Sequence, residues 1–340
     1  MRVLVYSANE YTKDMLLTAN ANNEHQFDFT ETRLEAQTTI LADQYPAVCC
    51  FVDDSLNGLV LQHLKNHGVK LVLLRCTGFN NVDLRAAQEL GLRVMRVVSY
   101  SPHSVAEFTV GMILNLNRKI HRAYNRVREG NFLLDGLLGF DLFGKTVGII
   151  GTGKIGTAFA HIIKGFGCHL LAYDVVTRSE CEEIGVYYTD LSSLLNQSDI
   201  VSLHLPLTPD SFHMINQSTL SKMKKTALLI NTSRGGIINT GDLVKALKQY
   251  HLAGVGLDVY EEESHLFYQD MRDQIIDDDT FSRLLTFPNV LLTGHQAFFT
   301  QEALQQIGKT TIDNLNDFIH QRDSKNSLKA EDIIVSSSKG

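Results

Sequence analysis

The sequence predicts an α/β protein: a Rossmann-type dinucleotide domain plus a second, smaller α/β domain. Three observations carry this. Short runs of branched apolar residues alternate with helical stretches along most of the chain, the pattern of parallel sheets flanked by helices. The run 146–150 leads into Gly151-Thr152-Gly153-Lys154-Ile155-Gly156, then an apolar-periodic helix and a second strand that ends at Asp174. The length, 340 residues, exceeds what one domain of about 150 residues holds.

A Gly-x-Gly-x-x-Gly pattern alone is weak evidence. Here strand, helix and terminal carboxylate stand around it, which is the full dinucleotide-binding context. Gly151 is expected to make the tight turn, Gly153 to let the backbone approach a pyrophosphate, and Gly156 to let the helix pack close. The N–H groups of Lys154 and Ile155 open the helix, where free donors and the helix dipole favour anions. Asp174 is placed to accept the adenosine ribose hydroxyls, which favours NAD over its 2′-phosphorylated form.

The first hundred residues alternate in the same way. Residues 2–6, 48–52, 69–74 and 91–97 read as strands, with helical stretches around 15–17 and 59–64. Continuous apolar strands such as Val48-Cys49-Cys50-Phe51-Val52 suit a parallel sheet covered on both faces. Two loops follow strands here: 75–83, with Thr77 and Gly78, and 99–102, with Tyr100. Ligands on open parallel sheets bind beyond the carboxyl ends of strands. Gly78 could expose N–H groups to an anion and Tyr100 could add a hydroxyl. Ordinary turn chemistry, with Asn80 and Asn81 chosen for their conformations, explains the loops as well. Position alone leaves both readings open.

Ser101-Pro102 opens a long helix, serine as N-cap and proline at the first helical position. Val105, Phe108, Thr109, Met112, Ile113 and Leu116 keep its 3.6-residue period, and Gly111 would permit close approach. The helix is expected to cross from the first domain into the second. Val110 and Leu114 lie off the main stripe, so part of this surface could face another subunit or simply pack within the chain.

After Asp174 the alternation resumes, with a short helix at 191–195 and strands at 200–205, 227–231, 252–259 and 290–293. Each strand delivers polar or turn residues at its carboxyl end. The first ends at Leu205-Pro206, the second at Thr232-Ser233-Arg234, the third at Asp258 and Glu261-Glu262-Glu263, and the last at Gly294-His295. All are expected on the edge that carries the glycine turn, with Leu205, Pro206, Thr232, Ser233 and Asp258 lining the cofactor. Beyond Phe299 a helix is expected to return the chain to the first domain, giving two chain crossings and a cleft. The expected division is 1–100 with 297–340 for substrate and 101–296 for NAD. The serine- and lysine-rich tail from about 324 is expected to fray.

Composition excludes several classes. The net charge is −7, from 31 basic and 38 acidic side chains, with no basic block, so nucleic acid is not an expected partner. No apolar run approaches the roughly 18 residues that span a bilayer, and no membrane association is expected. The apolar core of residues 1–6 is too short for an export signal. Five cysteines, with no Cys-x-x-Cys spacing, fit reduced thiols in a cytoplasmic protein without a metal site.

A cleft holding NAD, an arginine, a glutamate and a histidine suits hydride transfer between cofactor and carbonyl. Arg234 can clamp a substrate carboxylate and lean on the carbonyl oxygen. His295 is the natural proton donor. Glu263 can hydrogen-bond the other ring nitrogen and favour the imidazolium. Each has an ordinary structural alternative: an ion-pair arginine, an acidic surface run, one of thirteen histidines. That every one follows a strand of the same sheet favours the catalytic reading.

The order of these motifs resembles the D-2-hydroxyacid dehydrogenase family over nearly the whole chain. The segments Leu74-Arg75-Cys76-Thr77-Gly78-Phe79-Asn80-Asn81-Val82-Asp83-Leu84, Asn117-Arg118-Lys119-Ile120-His121-Arg122-Ala123-Tyr124 and Thr293-Gly294-His295-Gln296-Ala297-Phe298 are similar to its fermentative D-lactate branch. The resemblance implies a flavodoxin-like substrate domain, NAD as cofactor, and reversible reduction of pyruvate to D-lactate. It implies that Arg234 binds substrate, Glu263 tunes the histidine and His295 is the acid/base. It also implies that Tyr100 and the Thr77–Gly78 backbone hold the substrate carboxylate, and that the protein is a homodimer or homotetramer. The choice of Glu263 among three glutamates comes from the family spacing of five residues beyond Asp258; side-chain chemistry alone does not choose. Phe298, Phe299 and Tyr100 suggest bulk around a small substrate group. One alternative keeps the mechanism with a larger 2-keto acid, such as phenylpyruvate or ketoisocaproate. Another is a non-enzymatic NAD-sensing scaffold, against which the lack of a long interaction tail argues. The acidic loop 264–286 has no assigned role.

Overall fold

The computed structural model describes residues 1–332, and the described chain divides into two compact units. One is Met1–Ser101 with the described chain from Phe299 on; the other is Pro102–Phe298.

In the first unit, β1 (Arg2–Val5), α1 (Glu10–Ala19), β2 (Gln26–Phe29), β3 (Ala47–Cys50), α2 (Gly58–Asn66), β4 (Leu71–Leu74), α3 (Leu84–Glu89) and β5 (Arg93–Arg96) follow in turn. The parallel strands take the order β2-β1-β3-β4-β5, that of the flavodoxin-like fold. Every residue of β3 and β4 is buried, as a strand covered on both faces requires. Helices start where a side-chain oxygen takes a free N–H: Asn9 for α1, Asn57 for α2 and Asp83 for α3. The edge strand β2 is absent from the sequence reading. Its Gln-Phe-Asp-Phe is short and only half-buried, so no continuous apolar run marks it.

The second unit opens with α4 (Pro102–Arg118) and α5 (Ile120–Arg128), then β6 (Thr146–Ile150), α6 (Lys154–Lys164), β7 (His169–Tyr173), α7 (Ser179–Glu183) and β8 (Val186–Tyr188). It continues through α8 (Leu191–Gln197), β9 (Ile200–Leu203), α9 (Gln217–Leu220), β10 (Leu228–Asn231), α10 (Thr240–Lys248), β11 (Gly254–Leu257), α11 (Asp279–Leu285) and β12 (Val290–Leu292). The sheet order is β12-β11-β10-β9-β6-β7-β8, all parallel. This is the doubly wound dinucleotide order with one strand added, and its switch point lies between β6 and β9. Apolar cores cover both faces of the sheet.

Three expectations need correction. Helix α4 does not cross between units; it lies wholly in the second, because the break falls before Pro102. Gly111 makes no close approach: a Cβ there would meet nothing within 4 Å. Val110, for which a subunit contact and packing within the chain were both open, takes the second: it is buried in this chain's own core. The tail does not simply fray. After α12 (Gln301–Ile319), β13 (Ser327–Leu328) pairs antiparallel with β5 and extends the first unit's sheet. Arg93 ties it down, its Nη2 donating to Arg322 O at 2.6 Å and Ser327 Oγ at 3.0 Å. Serine and lysine composition hid a two-residue strand that exists only because β5 offers an open edge. A short turn at Ala330–Asp332 follows, with Ala330 N donating to Gln88 Oε1 at 3.1 Å, and residues 333–340 lie outside the described residues.

Candidate active site

The turn after β6 is built as its glycines predict. Gly151 has φ +95°, and a Cβ there would lie 2.5 Å from His204 O. Gly153 faces open space. A Cβ on Gly156 would stand 2.0 Å from Gly151 O, so α6 can meet the turn only without a side chain. Lys154 and Ile155 are the first residues of α6, and Gly153 caps it with no side-chain acceptor, leaving its first donors for an anion. A Gly156→Ala variant is therefore expected to open the turn, lose NADH binding and melt lower, since overpacking of this kind costs about 1–3 kcal/mol. NADH fluorescence titration beside a thermal melt checks it; unchanged binding would contradict it.

Asp174 follows β7. Its Oδ2 accepts from Thr152 N at 2.6 Å and Thr152 Oγ1 at 3.0 Å, and its Oδ1 from Val176 N at 3.2 Å. Tyr188, at the end of β8, donates its hydroxyl to Thr152 Oγ1 at 2.9 Å and braces the arrangement. A carboxylate offers about four acceptor positions, so Oδ1 keeps one for a ribose hydroxyl. A 2′-phosphate would meet a fixed negative charge. These features fit NAD.

Other cofactor candidates sit on the same edge. Leu205 and Pro206 follow β9; a Cβ on Gly151 would lie 2.9 Å from Leu205 Cδ2, so this side chain packs on the turn. His204, just before them, is pushed by burial down to about 3 and stays neutral. Thr232 Oγ1 lies 2.8 Å from Thr109 Oγ1, whose own proton goes to Val105 O. Ser233 Oγ donates to Asn231 Oδ1 at 2.8 Å. Both hydroxyls are thus engaged within the chain, as is the Ser233 backbone, whose N–H donates to Asn231 Oδ1 at 3.0 Å. Asp258, expected at the cofactor, is fully buried. Its Oδ1 takes Thr293 Oγ1 at 2.6 Å and Gln296 N at 2.9 Å, and its Oδ2 takes Ala297 N at 2.8 Å. In this structure the carboxylate braces the turn that carries His295. Burial raises its pKa against those hydrogen bonds.

His295 sits on that turn with φ +53°, its N–H donating to Asp258 O at 2.7 Å. Its Nδ1 lies 2.7 Å from Glu263 Oε1. A carboxylate only accepts, so Nδ1 carries the proton and Nε2 is left for substrate. Glu263 Oε2 accepts from Tyr260 N at 2.9 Å, which locks the carboxylate. Tyr268, from the unassigned acidic loop, donates its hydroxyl to His295 O at 3.1 Å. The run of three glutamates thus resolves: Glu263 meets His295, Glu261 pairs with His213, and Glu262 is exposed.

Arg234 lies between Ser233 and Gly235, at the carboxyl end of β10. Its Nη1 donates to Ser233 O at 2.7 Å, which turns the guanidinium back over its own loop. Asn231 Nδ2 holds Arg234 O at 2.9 Å. The adjacent loops are in contact: a Cβ on Gly235 would lie 2.0 Å from Tyr260 C. Arg234, Glu263 and His295 therefore follow three neighbouring strands, β10, β11 and β12. Phe298, buried, ends the unit.

Thr77, Gly78 and Tyr100 belong to the first unit, beyond the carboxyl ends of β4 and β5. Arg96 Nη1 donates to Thr77 O at 2.7 Å, with its guanidinium 4.6 Å from the Phe79 ring centre. Cys76 Sγ donates to Gly78 O at 3.2 Å. Both carbonyls are thereby held, and among the described residues no hydrogen bond uses the N–H of Thr77 or Gly78. Asn81 ties this loop to a distant one, its Nδ2 donating to Asp54 O at 2.8 Å and Phe51 O at 3.2 Å. The sequence reading did not single out Arg96, His213 or Tyr268, nor the partner of Glu261; each acts through a residue distant in the chain.

Comparison with known proteins agrees with this geometry. Residues 110–297 match the model of the D-isomer specific 2-hydroxyacid dehydrogenase, NAD binding domain. The chain is 51% identical over 339 residues to 2-hydroxyacid dehydrogenase A of Aspergillus oryzae, covering 98% of this chain and 97% of that one. It is 48% identical over 316 residues to the D-lactate dehydrogenase of Escherichia coli, covering 93% and 95%. The apo-structure of that Escherichia coli enzyme superposes with a TM-score of 0.89 at 46% identity, covering 96% of this chain and 100% of the other.

Proposed function

We propose that this chain, which belongs to the D-isomer specific 2-hydroxyacid dehydrogenase family, is an NAD-dependent D-lactate dehydrogenase that interconverts pyruvate and D-lactate. The observation that carries the acid/base assignment is the Glu263–His295 contact at the end of two adjacent strands of a dinucleotide-binding sheet.

The bound cofactor supplies or accepts hydride at C2 of the substrate. The chain does the rest. His295, with Nδ1–H on Glu263, presents Nε2 to the substrate oxygen. In reduction the imidazolium gives its Nε2 proton to the forming alkoxide; in oxidation the neutral ring takes the proton back. Glu263 holds the ring and offsets its positive charge. Arg234 takes the substrate carboxylate and polarises the carbonyl, a task for a planar fork with several donors. We assign the unused N–H groups of Thr77 and Gly78, with the Tyr100 hydroxyl, to the same carboxylate, and Phe298 to the wall beside the methyl group.

Two further readings accompany this one. A homodimer or homotetramer is supported by the segment after α5, where Phe132, Leu134, Leu138 and Phe143 are 74–88% exposed, an apolar set rarely left in water. A reducing, cytoplasmic setting is supported by five free thiols. No helix among the described residues is long and apolar enough to cross a membrane.

The test is NADH oxidation at 340 nm with a panel of 2-keto acids, with NADPH run in parallel. Pyruvate is expected to turn over fastest, with NADH preferred. Overlapping activity is expected, since one methylene changes discrimination by only about 1–3 kcal/mol. A preference for phenylpyruvate or ketoisocaproate would overturn the D-lactate assignment and leave the catalytic set standing. No turnover despite tight NADH binding would overturn both.

A further inference from the structure

A second glutamate–histidine pair stands two residues from the first. His213, in the loop after β9, hydrogen-bonds through Nε2 to Glu261 Oε1. The other oxygen of Glu261 accepts from Thr240 N at 3.1 Å and Thr240 Oγ1 at 2.9 Å, at the start of α10. Burial works against this carboxylate, and the hydrogen bonds from His213 and Thr240 outweigh it, so it stays below its usual range and ionised.

The protonation of His213 is set from its other side. Asn239 Oδ1 accepts from Asp242 N at 2.9 Å as the cap of α10, which fixes the amide's orientation. Its Nδ2 then faces His213 Nδ1 at 3.2 Å. An N–H₂ group donates, so Nδ1 must accept, and the proton sits on Nε2, directed at Glu261. The ring is held as one neutral tautomer.

This network joins the loop after β9 to the two loops, after β10 and β11, that carry Arg234 and Glu263. The His213 backbone has φ +50°, a left-handed conformation unusual for a side-chain-bearing residue. Its N–H donates to Gly236 O at 2.9 Å, in the loop of Arg234. Gly235 lies against the backbone of Tyr260 and Glu261 so closely that no Cβ fits. Tyr260 N in turn holds Glu263 Oε2. A movement at Glu261 therefore reaches both the Arg234 loop and the carboxylate that orients His295.

We propose that His213 and Glu261 are positioning residues for the reaction: through the tautomer set by Asn239 they hold the loops after β9, β10 and β11 so that Glu263 and Arg234 keep their working places. This rests on the roles given above to Arg234, Glu263 and His295. Neither His213 nor Glu261 touches the reacting atoms in this account.

The network makes an unusual rescue possible. In Glu261→Gln the amide N–H would face a ring nitrogen that already carries a proton, and the pair breaks. In the double variant Asn239→Asp, Glu261→Gln the carboxylate is moved to the other side of the ring. It accepts from Nδ1–H and still caps Asp242 N, while the new amide donates to Nε2 and accepts from Thr240 N. Every hydrogen bond returns with the opposite tautomer. Steady-state kinetics with pyruvate, NADH titration, melting curves and imidazole ¹⁵N shifts are read on wild type and both variants. The His213 signal is assigned by its loss in His213→Gln. Glu261→Gln is expected to lower kcat about 10- to 100-fold, as small misplacements of catalytic groups do, with the NADH Kd unchanged. The double variant is expected to recover most of kcat, with the ¹⁵N pattern of His213 inverted.

A wild-type kcat in Glu261→Gln overturns the proposal. So does a double variant that shows the inverted tautomer yet stays slow, or one that keeps the original tautomer. If Glu261→Gln does not fold, the double variant carries the test by the same criteria. A fall in melting temperature alone, with kcat intact, reduces the pair to a structural one and overturns the positioning role. His295→Gln separates the two levels: if it keeps its activity the acid/base reading fails first, whereas its inactivity beside an unimpaired Glu261→Gln sinks this inference alone.

Discussion

His295→Gln is expected to lower kcat for pyruvate reduction by about 10³-fold, within the range that a positioned general acid contributes, while the NADH Kd stays near wild type. The side chain sits on the turn after β12, and its contacts run to Glu263 and Asp258 rather than to the glycine turn. Glutamine keeps the length and can donate to Glu263, so the turn should survive. What it lacks is a proton that can leave near neutral pH. The variant should therefore also lose the pH profile. In the wild type, reduction needs the imidazolium and falls as pH rises from acid to alkaline. Oxidation needs the neutral ring and rises over the same interval. In the variant both limbs should flatten. Stopped-flow or steady-state rates across that range, in both directions, decide the matter. A variant within tenfold of wild type, or a wild-type reduction rate indifferent to pH, would remove His295 from its role.

Arg234→Gln is expected to lower kcat/KM for pyruvate by about 10²- to 10³-fold, consistent with the 2–5 kcal/mol lost when one partner of a hydrogen-bonded charge pair is truncated. The NADH Kd should hardly change, because the pyrophosphate turn is formed by Gly151, Gly153 and Gly156 on other elements. Arg234→Lys should fall between, since an ammonium restores the charge without the bidentate fork. The loop itself has independent anchors in the Asn231 side chain and the Gly235 contact with Tyr260, so its fold should persist. A KM for pyruvate that remains at the wild-type value would show that the carboxylate is held elsewhere, with the Thr77–Gly78 N–H groups the first place to look.

Much of this site is legible in the sequence, where the signal is local. The dinucleotide turn is a contiguous motif, and each glycine has a backbone reason: φ +95° at Gly151, open space at Gly153 and a 2.0 Å conflict at Gly156. Strands such as β3 and β4 are apolar throughout because both faces are covered. The two edge strands of the first unit resisted the same reading. β2 and β13 are short and only partly buried, and their partners come from elsewhere in the chain.

The sequence by itself determined the fold class, the cofactor and the strand ends at which Arg234, Glu263 and His295 stand, because those follow from periodicity and motif over a few residues. Only the tertiary structure decided what neighbouring residues of one kind do. Glu261, Glu262 and Glu263 are chemically identical and adjacent, yet one faces His213, one faces solvent and one faces His295. Asp258 reads as a cofactor ligand by its place after a strand, and in the folded chain its oxygens hold the turn beneath His295. The reason is the same in both cases. A side chain's partner is set by the register of strands and loops that lie 30 to 50 residues apart, as with Glu261 and His213 or Glu263 and His295, and no local pattern encodes that meeting.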